Sequence, residues 1–248
     1  YKKRAFFHNI KFPIPEGFYG KHVTEFFAQL AEKAGVAVRD LSMEFHVSPE
    51  DRKQADSFLK NFSASETYMM VSVGGGESWG KDAYFKRWPP KYFSELTEKL
   101  KKKYNISGVI ILGSAGEQEL AQDFSKGVQG PILNLCGKIS LGISAALIEK
   151  SCLFLGNDGG LMHLAHALKN PVIALFGPVD PVVYGPFPAR AGAAVAVKED
   201  LSCRPCYFKF RYNSACEHRK CLQELTPDEV LAQLDKKKFT LEACSGKP

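Results

Sequence analysis

The sequence predicts an α/β protein built on a doubly wound parallel sheet with helices on both faces, and three observations predict it. From Tyr68 onward, short apolar runs alternate with longer amphipathic stretches, the order that strand–helix–strand crossovers produce. Glycine-bearing turns follow three of the apolar runs, at Gly74 to Gly76, Gly113 to Gly116 and Gly156 to Gly160. In a parallel sheet those are the carboxyl ends of strands, where ligands bind. Finally, the 248 residues are 45% hydrophobic, enough for a real core, yet no apolar run approaches the about 20 residues that span a bilayer.

Taken in order, the chain opens with a surface loop through Phe12-Pro13-Ile14-Pro15 that leads into a helix from His22 to Ala34, stopped before Gly35. Ser48 as a cap, Pro49 in the first turn, and Glu50 and Asp51 beside the positive helix end predict a second helix to Lys60. Two helices without strands cannot cover a sheet. Residues 1–67 are therefore expected to be the tail of one domain plus a connector, and residues 68–248 a second, ligand-binding domain. There the pattern predicts strands at Met69 to Val73, Val109 to Leu112, Ile132 to Leu135, Cys152 to Leu155, Val172 to Phe176 and Ala193 to Val197. Helices are expected at Pro90 to Lys103, Glu117 to Lys126 and Ser140 to Lys150, and after Gly160.

The most informative stretch is Cys152 to Pro181, which reads strand, tight turn, helix, strand. Glycines in its turn let the backbone approach a ligand closely, and the N–H groups of a helix start favour anions such as phosphate. The plainer reading of Asn157-Asp158-Gly159 is a loop with a capping carboxylate. A formal charge of +6, from 33 lysines and arginines against 27 acids, suits acidic ligands or an anionic membrane surface. The opening YKKRAFFHNIKF lacks the apolar core of a secretory leader, so a soluble, cytoplasmic protein is the expectation.

Seven cysteines, with Cys136, Cys152 and Cys244 scattered singly, argue against a disulfide-stapled secreted chain. Cys203, Cys206, Cys216 and Cys221 form a C-x2-C-x9-C-x4-C cluster with His218 between the last two. Such spacing suits a tetrahedral zinc or iron site, two disulfides, or four reduced thiols that only pack. Arg204, Lys209, Arg211, Arg219 and Lys220 interleave there with Tyr207, Phe208, Phe210 and Tyr212, so a rival reading is a basic aromatic patch for nucleic acid; the favoured one has no nucleic-acid partner.

Five separated segments carry a resemblance. KRWP at Lys86 to Pro89 precedes a helix with Tyr92-Phe93; LGSAGE runs from Leu112 to Glu117, NLCGKISL from Asn134 to Leu141, NDGGLMHLAHAL from Asn157 to Leu168, and PVIALFGPVDP from Pro171 to Pro181. In this order, over roughly residues 68 to 235, the chain resembles bacterial lipopolysaccharide heptosyltransferases, the ADP-heptose-using glycosyltransferase family 9 of GT-B fold. The resemblance implies a nucleotide-sugar-binding C-terminal Rossmann-like domain preceded by the remnant of an N-terminal, acceptor-binding Rossmann-like domain, whose general-base aspartate lies before Tyr1. It implies an inverting transfer of heptose from ADP-heptose to the lipopolysaccharide inner core, by an enzyme peripheral to the inner membrane on its cytoplasmic side. The alternatives are another nucleotide sugar or a protein acceptor on the same fold, and a non-catalytic anion-binding module.

By the same resemblance Lys86 reaches the donor phosphates, with Arg87 a second candidate, and Glu117 contacts the nucleoside unless it only serves the helix dipole. Asp158 binds donor sugar hydroxyls, or caps its helix while the amides of Gly74, Gly75, Gly159 and Gly160 take the phosphates. Lys86 and Asp158 are thus the candidate catalytic residues of this half. Leu161 and Met162 are candidates for the base pocket, His163 sits near the phosphates, and His166 reads as core. Gly159 stands where relatives carry serine or threonine. The transfer needs no metal, so any ion at the four cysteines would be structural, as in the protein-heptosylating branch that holds iron with four cysteines.

Overall fold

The computed structural model describes residues 8–62, 67–77, 79–212 and 216–241. Two helices come first, α1 (Val23–Lys33) and α2 (Pro49–Lys60). Six strands follow, β1 (Tyr68–Ser72), β2 (Gly108–Ile111), β3 (Ile132–Asn134), β4 (Leu153–Asn157), β5 (Val172–Phe176) and β6 (Ala193–Val197). Between them run α3 (Pro90–Tyr104), α4 (Gln118–Ser125), α5 (Leu141–Lys150), α6 (Gly160–Ala167) and the short α7 (Pro181–Tyr184), and the chain closes with α8 (Lys220–Gln223) and α9 (Pro227–Lys236).

All strands pair in parallel in the order β3-β2-β1-β4-β5-β6. The chain walks outward from β1 to β3, then returns to lay β4 beside β1 in the register Met69 to Leu153 through Ser72 to Gly156. That reversal opens a crevice beyond the carboxyl ends of β1 and β4. Side chains alternate across the pleat and sort into two cores. Met69, Val71, Val109, Ile111, Leu153 and Leu155 pack with α3, α4 and α9 on one face. Met70, Ile110, Phe154, Val172 and Ala174 pack with α2, α5 and α6 on the other.

Local chemistry sets the helix starts. Ser48 Oγ accepts from Asp51 N at 3.0 Å and Ser140 Oγ from Ile143 N at 3.2 Å. Thr226 and Glu229 form a reciprocal capping box for α9. The helix expected from Glu117 starts instead as a 3-10 turn over Ala115–Glu117, because the Glu117 carboxylate reaches back to the amide of Ser114.

The first two helices behave differently. No residue of α1 is buried, whereas Ala55 of α2 and Val47 just before it are buried with α5 and the sheet. Arg52 makes two bonds of 2.8 and 2.9 Å to Glu149, and a Cβ on Gly142 would lie 2.4 Å from Asp51 Oδ2, so α2 and α5 lie in close contact. Of the three lone cysteines, Cys136 is a buried free thiol and Cys152 is disulfide-bonded, against the expectation of an isolated residue. Cys244 lies outside the described residues.

Candidate active site

The three glycine turns meet around one cavity of about 300 Å3, lined by Gly75 and Gly76 after β1, Gly113, Ser114 and Glu117 after β2, and Asn157, Gly159 and Gly160 after β4. Leu161 and Met162 of α6 and Ile139, Leu141 and Ser144 around α5 complete its wall. Six of the residues expected in the site line it directly, Gly75, Glu117, Gly159, Gly160, Leu161 and Met162, whereas Gly74, Lys86, Asp158 and His163 do not. Met162 is also wholly buried in the core, so it serves packing and cavity together.

Gly74 has another task. A Cβ there would fall 1.8 Å from Glu117 Oε1, so glycine at 74 admits the Glu117 side chain beneath the loop. Glu117 is 1% exposed and accepts from Gly76 N at 2.8 Å and Ser114 N at 2.7 Å. Its carboxylate thus ties two strand-end loops together while bordering the cavity. Arg87 donates from Nε to Gly74 O at 3.1 Å and acts on the same loop.

Lys86 ends a 3-10 turn over Gly80–Lys86 and is buried, its Nζ 3.7 Å from Asp158 Oδ2. The two side chains are only 5% and 10% exposed. Burial pulls the Lys86 ammonium below its usual range and pushes the Asp158 carboxyl above its own, and each charge partly restores the other. Such a pair is held apart from water. Asp158 does not cap α6: Gly159 is the cap residue, with no side-chain hydrogen bond, which leaves that helix start to the backbone.

Gly159 explains its own identity. A Cβ there would meet the Gly75 carbonyl oxygen at 2.6 Å, so the β1 and β4 loops touch backbone to backbone and no hydroxyl side chain fits between them. His163 is half-buried, with Nδ1 buried and without a hydrogen-bond partner. Burial, then the nearby His22, His166 and Lys86, pull its pKa down to about 4. His166 meets the Pro188 carbonyl at 2.9 Å through Nε2 and is a packing residue. Around Gly177, Asp180 caps the short α7 by accepting from Val182 N at 2.9 Å, which keeps that turn structural.

Four residues that sequence reasoning passed over complete the arrangement. Asn157 Nδ2 donates to Val73 O at 2.7 Å while its Oδ1 accepts from Trp88 N at 3.1 Å, which staples the ends of β1 and β4 to the segment that carries Lys86. Trp79 lies under the Lys86 ammonium, with Nζ 4.1 Å from a ring centroid. Tyr207 stacks on Trp79 at 4.6 Å, and Tyr212 packs at 4.0 Å from it. The signal for the two tyrosines was present as aromatics among the cysteines, where it suggested a polymer-binding patch.

That patch is not continuous. Arg204 turns inward to the Gly177 and Lys198 carbonyls, and Arg219 holds the Tyr84 carbonyl at 2.8 Å. Cys203, Cys206, Cys216 and Cys221, expected as a metal site, two disulfides or four packed thiols, form no disulfide. Cys203 is exposed and Cys221 buried, and among the described residues no group of three or more His, Cys, Asp or Glu is arranged to hold an ion. Burial pushes the Cys221 thiol up to about 11, with Arg204 only partly opposing it. Of the three readings, the pair of disulfides is the one excluded.

The sequence profile of Glycosyltransferase family 9 (heptosyltransferase) matches residues 1–214. Lipopolysaccharide heptosyltransferase 2 of Escherichia coli K12 is 30% identical over 180 residues, 70% of this chain and 48% of the relative. Lipooligosaccharide heptosyltransferase 2 of Campylobacter jejuni serotype O:2 is 29% identical over 168 residues, 66% of this chain and 49% of that protein. The chain therefore spans about half the length of the curated relatives it matches. Among solved structures, E. coli ADP-heptose lps heptosyltransferase II superposes with a TM-score of 0.68 at 22% identity, covering 95% of this chain and 67% of the other. A family 9 glycosyl transferase from Veillonella parvula also gives 0.68 at 22% identity, covering 88% and 60%. Both match in fold, that of the GT-B heptosyltransferases.

Proposed function

The chain belongs to glycosyltransferase family 9, and from that premise we propose that it provides the donor half of an inverting heptosyl transfer from ADP-heptose to the lipopolysaccharide inner core. The observation that carries the reading is the buried Lys86–Asp158 pair, with Asp158 between Asn157 and Gly159, two residues that line a cavity built from three glycine turns at the reversal point of the sheet. A departing nucleoside diphosphate needs its growing negative charge matched. Lys86 supplies a cation that currently faces Asp158. The backbone amides of Gly75, Gly76, Gly159 and Gly160 and the open start of α6 supply dipoles.

In this proposal the diphosphate draws Lys86 away from Asp158, and the released carboxylate takes hydroxyls of the donor sugar. Leu161, Met162 and Ile139 offer the apolar surface that an adenine needs, and Glu117 fixes the loops around it. No metal enters the step. The general base that activates the acceptor is placed in the portion of the family's length that these residues do not span, as is the acceptor pocket. No helix among the described residues is long and apolar enough to cross a membrane, and the lipid-linked acceptor puts the enzyme at the cytoplasmic surface of the inner membrane.

Calorimetry of the 248-residue chain with ADP tests the assignment. Wild type is expected to bind, and Lys86→Ala to lose about 10-fold or more in affinity, the scale of a hydrogen bond to a charged group. Equal binding by wild type and variant would sink the role of Lys86, and a wild type that ignores ADP would sink the function.

A further inference from the structure

We propose, on the reading of the donor site given above, that Tyr212 is a donor-contact residue: its hydroxyl, held by the Trp79–Phe85–Tyr207 ring cluster beside the Lys86–Asp158 pair, donates a hydrogen bond to the diphosphate of the nucleotide sugar. The placement rests on rings. Tyr212 lies edge-on to Trp79 at 4.0 Å, stacks on Phe85 at 5.0 Å and sits 4.9 Å from Tyr207. The same indole carries Lys86 Nζ at 4.1 Å, and Lys86 is 3.7 Å from Asp158. Tyr212 and Lys86 thus meet on one tryptophan, at the pair assigned to the leaving group.

The hydroxyl itself supplies the second observation. Tyr212 Oη is buried and has no hydrogen-bond partner among the described residues. A buried polar atom left unpaired costs folding free energy, and phenylalanine would fill the same slot without that cost. The oxygen therefore fits a partner beyond the described residues, as a bound ligand would be. Burial first, then Asp158 and Tyr207, push the phenol far above its ordinary range, so the group is a fixed O–H donor. An anionic oxygen is the acceptor that such a donor binds most strongly, and a diphosphate drawn to Lys86 brings one to this place. Tyr212 comes from the segment between Cys206 and Cys216, outside the motifs that carry the family resemblance. The cysteine-bounded segment thereby adds a specificity element of its own to the donor site.

The test is Tyr212→Phe in the 248-residue chain, titrated with ADP and with adenosine. The variant is expected to bind ADP about 10-fold or more weakly, to bind adenosine as wild type does, and to melt without ligand at the wild-type temperature or above it. Tyr207→Phe, which keeps the Tyr212 hydroxyl, should retain wild-type ADP affinity. Unchanged ADP affinity in Tyr212→Phe, an equal loss for adenosine, an equal loss in Tyr207→Phe, or a lower melting temperature that marks the hydroxyl as structural would each overturn the proposal. If wild type itself fails to bind ADP, the reading of the site fails; if wild type binds and Tyr212→Phe binds equally, only this inference does.

Discussion

Lys86 and Asp158 were legible because they sit in short motifs whose chemistry is specific: a cation after a glycine-bearing strand end and a carboxylate at a helix start. Their mutual contact was not, since sequence separation hides that Trp79 and the buried Asn157 bring the two segments together. His163 is expected near the phosphates, and its titration is a property of burial. Its pKa falls from 6.5 to about 4 in the folded protein, so between those values the unfolded chain binds more protons than the native one. Stability that is complete above pH 6.5 is therefore lost as the pH falls toward 4, by up to about 3 kcal/mol from this residue. His22 and His166 are shifted the same way, whereas the raised Asp158 acts with opposite sign. Urea midpoints measured from pH 7.5 to 4 should drop less steeply in His163→Gln than in wild type; parallel curves would exclude His163 as a source of acid sensitivity.

Among the elements, every expected strand exists and its centre falls where the apolar runs put it, because period-2 burial on both faces leaves little freedom of register. The unforeseen helix α9 had its signal in plain view, Thr226-Pro227-Asp228-Glu229, a capping box with proline in the first turn. Ligand chemistry alone does not account for the turns, since several of their glycines, Gly74 and Gly159 among them, answer to neighbouring protein atoms. Gly74 makes room for Glu117, and Gly159 makes room for Gly75. The second contact is backbone against backbone, so no rotamer relieves it. Gly159→Ser is accordingly expected to lower stability by about 1 to 3 kcal/mol, the cost of overpacking, and to weaken ADP binding by prising the β1 and β4 loops apart. A serine variant with wild-type melting temperature and affinity would show that the loops yield freely.

At the scale of the whole molecule, the fold class and the position of the crevice followed from alternation and glycine placement, while the packing of α2 against α5 did not. A helix with proline at its start looks the same whether it belongs to a neighbour or to the domain behind it, and only packing distinguishes them. A chain starting at Arg39 should keep the fold at a cost of about 1 kcal/mol from contacts such as His22 to the Gly185 carbonyl. One starting at Tyr68, stripped of the buried Val47 and Ala55 and of the apolar side chains around them, should lose about 5 kcal/mol or more. Chemical denaturation of the two shortened chains compares these directly, and equal stability would assign α2 to the neighbour. The reversal of strand order carries a consequence for how the protein comes to exist. β1 gains β2 within a few tens of residues but waits for β4 until Leu153 has been made. A nascent chain released as far as Asn134 holds half a sheet whose central strand is still an open edge, a hazard for aggregation during synthesis. The crevice appears only when the second half docks, so any ligand bound there cannot assist the early steps and can only reward the last one.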